Sequence, residues 1–180
     1  FQQLMQQHDI ELIHGPMLGD VTGRKAKVWV RTFHEVPVKV KASTKKSMTD
    51  PVVSQVVQTR KDHDYTAVST LEGLTPDTEY YYQVEIDGAL HEGKWTFRTQ
   101  PGEGQSATFQ VGFGGGAGYI PKNELMWNTI STFPMQAFLL LGDNVYIDYP
   151  REPVVQRYCY YRRQSGPEFQ HFAATRRFPT

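Results

Sequence analysis

The chain has 180 residues, enough for one large domain or two small ones, and its 39% hydrophobic and 13% aromatic content can build a real core, so a folded, soluble protein is expected. Lysine plus arginine balance aspartate plus glutamate at 19 each, which argues against nucleic acid or an anionic membrane surface as the main partner, and no apolar run nears the roughly 18 residues of a membrane span. A single cysteine, Cys159, excludes an internal disulfide and leaves the cellular compartment open.

Phe1 follows neither an initiator Met nor a basic-then-apolar leader, so a processed start is expected, with residues 1–14 as an N-terminal extension. Residues 15–100 read as short strands. "KAKVWVRT" sets Val28 and Val30 against Lys27, Trp29 and Arg31, and "VPVKVKAST" sets Val36, Val38 and Val40 against Lys39 and Lys41. "DYTAVSTL", "TEYYYQVEID" and "GKWTFRT" follow, with Asp87-Gly88 as a hairpin turn. Strands at this spacing predict an antiparallel sandwich. In "LEGLTPDTEYYYQV", a turn at Pro76-Asp77 feeds a tyrosine-rich strand with Tyr80, Tyr82 and Val84 on alternate positions. That is the setting of a tyrosine corner, and the segment resembles the penultimate strand of fibronectin type III modules. The plainer reading of these tyrosines is core and edge packing.

After Thr99 the pattern changes. "QPGEGQSA" predicts a linker over about 101–107. "TFQVGF" reads as a buried strand and "GGGAGY" as a turn. "PKNELMWNTISTF" reads as a helix opened by Pro121, with Met126, Ile130 and Phe133 at helical spacing. "QAFLLL" lacks polar alternation, the pattern of a strand covered on both faces. Strand, helix, strand predicts a parallel pair in an α/β layer. A further helix follows from Pro153, with Val154, Tyr158 and Tyr161 on one face, and "SGPEFQHF" interrupts and restarts it.

Ligands gather beyond the carboxyl ends of parallel strands, and "FGGGAGY" and "LLGDNVY" both exit toward that edge. Asp143 and Tyr146 are close enough in a tight turn to converge on one metal ion. A carboxylate bridges cations, and a phenolate is a hard anionic ligand suited to a trivalent ion such as Fe(III). The alternative is an Asx-type turn, with Asp143 bonding nearby amides and Tyr146 packed inside.

A sandwich, a linker, a glycine-rich strand exit and "LLLGDNVY" together resemble the PhoD-like (alkaline phosphatase D) metallophosphoesterases, from about His14 onward, with "YCYYRRQSGPEF" similar to the stretch after their metal motif. The resemblance implies a fibronectin-like domain ahead of a two-metal domain that hydrolyses phosphate mono- or diesters. There, metal ions polarise the phosphoryl oxygen and activate the attacking hydroxide. It implies iron and calcium as the metals, Asp143 as a bridging carboxylate and Tyr146 as the phenolate ligand of iron. Asn144 lies in the motif without an assigned role. The resemblance further implies a small phosphoester substrate and a periplasmic, cell-surface or secreted location. Two departures stand out. Many members have Gly-Ser-Cys at the first strand exit, the thiol binding iron, where this chain has Gly114, Gly115 and Gly116. The family's later Asn, Asp and His ligands would follow roughly where the sequence stops, so residues 108–180 are expected to be the N-terminal part of the phosphatase domain and inactive alone. Cys159, on an expected helix, is read as packing rather than replacing the thiolate.

Other readings compete. "GDNVY" also suits the purple acid phosphatases, which share Gly-Asp-x-x-Tyr, although their other early metal motif is missing. "GFGGGA" matches a dinucleotide pattern at Gly112, Gly114 and Ala117, but Pro121 delays the helix that would hold a pyrophosphate. A Walker loop is excluded for want of Gly-Lys-Ser/Thr. A non-enzymatic reading makes the sandwich a partner-binding module beside a degenerate phosphoesterase shell. Arg151, Arg157, Arg162, Arg163, Arg176 and Arg177 crowd the last thirty residues. Arg162 and Arg163 are read as a solvated helix face, with phosphate contact as the alternative. The histidines show no ligand spacing, His171 reads as an ordinary helix residue, and Trp29, Trp95 and Trp127 are expected in the core.

Overall fold

The computed structural model describes residues 11–176. Most of the expected N-terminal extension therefore lies outside the described residues, and the first strand is already under way at Leu12. Among the described residues eight strands form the first half: β1 (Leu12–Gly19), β2 (Lys25–Thr32), β3 (Pro37–Ser43), β4 (Val52–Val53), β5 (Val57–Gln58), β6 (Thr66–Glu72), β7 (Glu79–Ile86) and β8 (Ala89–Arg98). One sheet runs β1-β2-β6; the other runs β4-β3-β7-β8, with β5 also on β3. Every pairing in both sheets is antiparallel.

Alternation dictates the packing. Ala26, Val28 and Val30 of β2 face Val38, Val40 and Ala42 of β3 across a core that also holds Leu71, Leu74, Tyr82, Val84 and Ile86. The intervening lysines stay at the surface, where Lys39 and Lys41 share the Glu85 carboxylate at 2.6 and 2.7 Å. The tyrosine corner is present: the Thr75 amide donates to the Tyr80 hydroxyl at 2.9 Å. Asp87 and Gly88 take φ of 46° and 83°, the left-handed pair that a tight hairpin between β7 and β8 requires. Close approach explains Gly15. Its φ is 102°, and a Cβ there would sit 2.8 Å from the Trp29 carbonyl oxygen.

The second half contains β9 (Val111–Gly114) and β10 (Ala137–Leu140), which pair in parallel as the strand–helix–strand order predicts. Between them a 3-10 turn at Pro121–Asn123 leads into α1 (Met126–Ser131); α2 (Pro153–Gln164) and α3 (Pro167–Thr175) follow. The expected break at Ser165-Gly166-Pro167 separates those two helices. A second core gathers Trp127, Phe138, Phe169, Phe172 and Ala173, with Met17 of β1 packed against it. The neighbour of Met17, Leu18, belongs to the sandwich core, so β1 contributes to both. Among the described residues no helix is long and apolar enough to cross a membrane.

Several expectations are corrected. β9 and β10 are not covered on both faces: Phe138 is buried, whereas Phe113 is 70% and Leu141 64% exposed. Among the described residues, only one face of this pair carries a helical layer, and apolar composition alone does not distinguish one covering from two. Trp29 lies half-buried on the outer face of β2, not in the core, because the strand alternation that buries Val28 and Val30 turns it outward. Trp95 is also only partly buried. On α2, Val154 and Tyr158 are exposed, and the helix buries Cys159 and Arg163 instead. Phe133 is likewise exposed beyond the end of α1.

Candidate functional site

Parallel pairing of β9 with β10 brings their carboxyl ends side by side: Gly114 is opposite Leu140, and the Leu141 amide donates to the Gly114 carbonyl at 2.8 Å. The chain leaves β9 through Gly115–Gly118 and leaves β10 through Gly142–Tyr146. These exits approach closely, since a Cβ on Gly115 would stand 3.0 Å from the Gly142 carbonyl oxygen. Gly118 lies under Tyr146, where a Cβ would meet the ring at 3.8 Å. A side chain at Gly115 would press on the facing loop, whereas one at Gly118 would make ordinary contact with the ring.

Asp143, with φ of 49°, is exposed, and Tyr146 is half exposed. The Tyr146 hydroxyl donates to Asp143 Oδ2 at 3.2 Å. Partial desolvation, this hydrogen bond and the neighbouring negative charge all raise the phenol above its ordinary pKa. Among the described residues no backbone amide donates to the Asp143 carboxylate, which is not the pattern of an Asx turn. Two hard oxygen donors thus meet at one solvent-facing point, and they fit a single cation that would replace the phenol proton. Among the described residues no group of three or more His, Cys, Asp and Glu is arranged to hold a metal. Gly116 adds no donor; a Cβ there would meet nothing within 4 Å.

Arg163 is where sequence reasoning missed most. It belongs neither to a solvated face nor to a phosphate contact, because it is 5% exposed and all three of its nitrogens donate to groups of the protein. Its Nε and Nη2 donate to the two oxygens of Glu124 at 3.2 and 2.8 Å, a bidentate pair that also receives Trp127 Nε1 at 3.0 Å. Its Nη1 donates to the carbonyls of Ala117 at 2.6 Å and Asn144 at 2.5 Å, one from each strand exit. Arg162 stacks over the Tyr119 ring, 4.7 Å from its centroid. Asn144 turns its Oδ1 inward, shut from solvent without a hydrogen-bond partner. It lines a cavity of about 210 Å3 with Met17, Trp127 and Phe169.

A second polar cluster, also unforeseen, joins the sandwich to α2. His14 is 1% exposed. Burial, with the Arg31 guanidinium beside it, pushes its pKa down to about 4, against a smaller opposing pull from Asp64. The tautomer follows from its neighbours. Arg31 Nη1 can only donate, so His14 Nδ1 accepts at 3.0 Å. Nε2 then carries the proton and donates to Ser165 Oγ at 2.9 Å, whose hydroxyl donates to the Tyr161 carbonyl at 2.7 Å. Arg31 further donates to Gln164 at 3.1 Å and to Asp64 at 2.9 Å, and Tyr161 donates to the same Asp64 carboxylate at 3.0 Å. The sequence carried a weak cue, a histidine in an otherwise apolar strand. His171 is exposed on α3, and Cys159 is packed within α2, as expected.

A family model described as a domain of unknown function (DUF7800) matches residues 9–111. The solved structure of PhoD superposes with a TM-score of 0.81 at 16% identity, over 95% of this chain and 38% of PhoD. This chain therefore has the PhoD fold while spanning well under half of that protein. Weaker matches cover between half and three fifths of this chain. The sensor domain of the anti-sigma factor RsgI4 of Pseudobacteroides cellulosolvens matches with TM-score 0.42 and 17% identity, over 51% of this chain and 76% of that domain. A fibronectin type III domain from the human KIAA0970 protein matches with TM-score 0.39 and 13% identity, over 59% and 85%.

Proposed function

The chain belongs to the DUF7800 family, and we propose that it forms the sandwich and first parallel strands of a metal-dependent phosphoester hydrolase. The observation that carries the reading is the meeting of the Asp143 carboxylate and the Tyr146 phenol at 3.2 Å, at the carboxyl edge of a parallel pair within the PhoD fold. Asp143 and Tyr146 would hold a hard cation, iron at the phenolate with calcium nearby. When bound, such ions supply charge that polarises a phosphoryl oxygen and lowers the pKa of water. The chain's own groups do the rest. Before a cation binds, Asp143 accepts the phenol's hydrogen bond and keeps Tyr146 turned to the mouth, while the glycine loop leaves the phosphoester an unobstructed approach. The substrate would be a small phosphate mono- or diester met outside the cytoplasm. Asp143→Ala in the full-length protein tests this: metal content and hydrolysis of a nitrophenyl phosphodiester should both fall to background, and unchanged turnover overturns it.

A degenerate shell beside a partner-binding sandwich is the second reading, favoured by Gly116 in place of a thiol and by a donor set of two. Metal analysis separates the two: iron bound through Asp143 supports the hydrolase, and a metal-free protein supports the shell.

A further inference from the structure

We propose that the sandwich positions the candidate metal loop through α2, with Arg163 as the positioning residue that ties both strand exits together. The functional consequence rests on the metal reading above; the clamp itself rests on geometry. Beyond the strand pairing, no hydrogen bond among the described residues runs directly between the Gly115–Gly118 and Gly142–Tyr146 exits. They are joined by one nitrogen, Arg163 Nη1, which donates to Ala117 and Asn144 together. Asn144 directly follows Asp143 and stands two residues before Tyr146, so holding its carbonyl fixes the turn that aims both oxygen donors.

Glu124 orients the guanidinium by taking Nε and Nη2, which leaves Nη1 pointing at the loops. The position of α2 determines where that nitrogen lies, and the sandwich sets that position. Tyr161, Gln164 and Ser165 bracket Arg163, and each is bonded to a sandwich residue: Asp64, Arg31 and His14 respectively. The Arg31 guanidinium also lies over the Tyr161 ring, 4.4 Å from its centroid. A slip of α2 by one residue moves it about 1.5 Å. That would break both carbonyl bonds, and it exceeds the roughly 0.5 Å within which a metal site must hold its ligands.

The test uses the whole chain labelled for NMR, as wild type, Arg163→Lys and Arg31→Met. Lysine keeps a cation beside Glu124, but the three donors on its single nitrogen cannot replace the four bonds that the guanidinium makes to Glu124, Ala117 and Asn144. Amide order parameters over 115–118 and 142–146 should fall from the rigid range, about 0.85, to below about 0.6 in Arg163→Lys. They should fall less far in Arg31→Met, with β2, β3 and β7 unchanged in both. The double change Arg163→Met with Glu124→Gln removes both charges while leaving Trp127 an acceptor, and should loosen the same loops. Unchanged loop order in Arg163→Lys and in the double variant overturns the clamp, and loosening only with Arg163 changes overturns the role of the sandwich. Fe(III) added to each sample reads the consequence: the phenolate-to-iron absorption of the wild type should weaken in the variants, and equal bands overturn the positioning role. Loosened loops with no band in the wild type leave the clamp standing and remove the metal reading instead.

Discussion

The Tyr82 hydroxyl, sealed at the edge of the sandwich core, donates to the Ala174 carbonyl near the end of α3 at 2.7 Å. Burial holds the phenol well above its ordinary pKa, so it remains a donor. Tyr82→Phe keeps the ring and removes the proton, leaving a buried carbonyl without this partner. The expected loss is about 1–2 kcal/mol, read from urea unfolding. A variant as stable as the wild type would mean that the bond adds nothing beyond ring packing.

The His14 imidazole gives the fold a pH dependence whose sign is fixed. Its folded pKa, about 4, lies below the unfolded value of 6.5. Above 6.5 the ring is neutral in both states and its contribution is fully present. Between 6.5 and about 4 the unfolded chain takes up a proton that the folded chain refuses, so stability falls as pH falls. The full loss is on the order of 3 kcal/mol. His14→Gln, which retains an acceptor for Arg31 and a donor for Ser165, should flatten the slope of unfolding free energy across that window. An unaltered slope would assign the pH dependence to carboxylates.

Cation binding at Tyr146 should release a proton. Partial desolvation and then Asp143 raise the phenol's pKa in the free protein, and a trivalent ion needs the phenolate. Fe(III) binding should therefore strengthen as pH rises, and calorimetry in two buffers of different ionisation heat should show proton release. Tyr146→Phe should abolish both the release and the visible absorption.

Gly116 offers a gain-of-ligand experiment. An added Cβ meets no atom within 4 Å, and the cost is the φ of 70°, about 1 kcal/mol for a non-glycine residue. Gly116→Cys should raise Fe(III) affinity roughly tenfold or more and add thiolate-to-iron absorption. An unchanged titration would show that this loop does not share the ion.

Much of the sandwich was legible because its alternation is strict. Val28, Val30, Val38 and Val40 point inward as a period of two demands, and Pro76-Asp77 ahead of Tyr80 announces the corner. Parallel pairing of β9 and β10 followed from the strand–helix–strand order. Arg163 and His14 were opaque for a common reason. Each is polar among residues that set no period, and its partners lie far along the chain: Glu124 is 39 residues from Arg163, and Ser165 is 151 from His14. Local spacing carries no information about such pairs. Coverage of β9 and β10 was misread because a run such as "AFLLL" states that water is disfavoured without stating which neighbour displaces it.

Fibronectin-like modules are commonly portable: cut out and spliced elsewhere, they behave as beads whose outer surfaces meet only solvent. Consecutive side chains of β1 deny that freedom here, because Leu18 fills one interior and Met17 walls the other. Excising the bead at the 101–107 linker would strip the neighbour of part of its lining. Anyone exchanging this module for a foreign one would have to transplant the seam along with it.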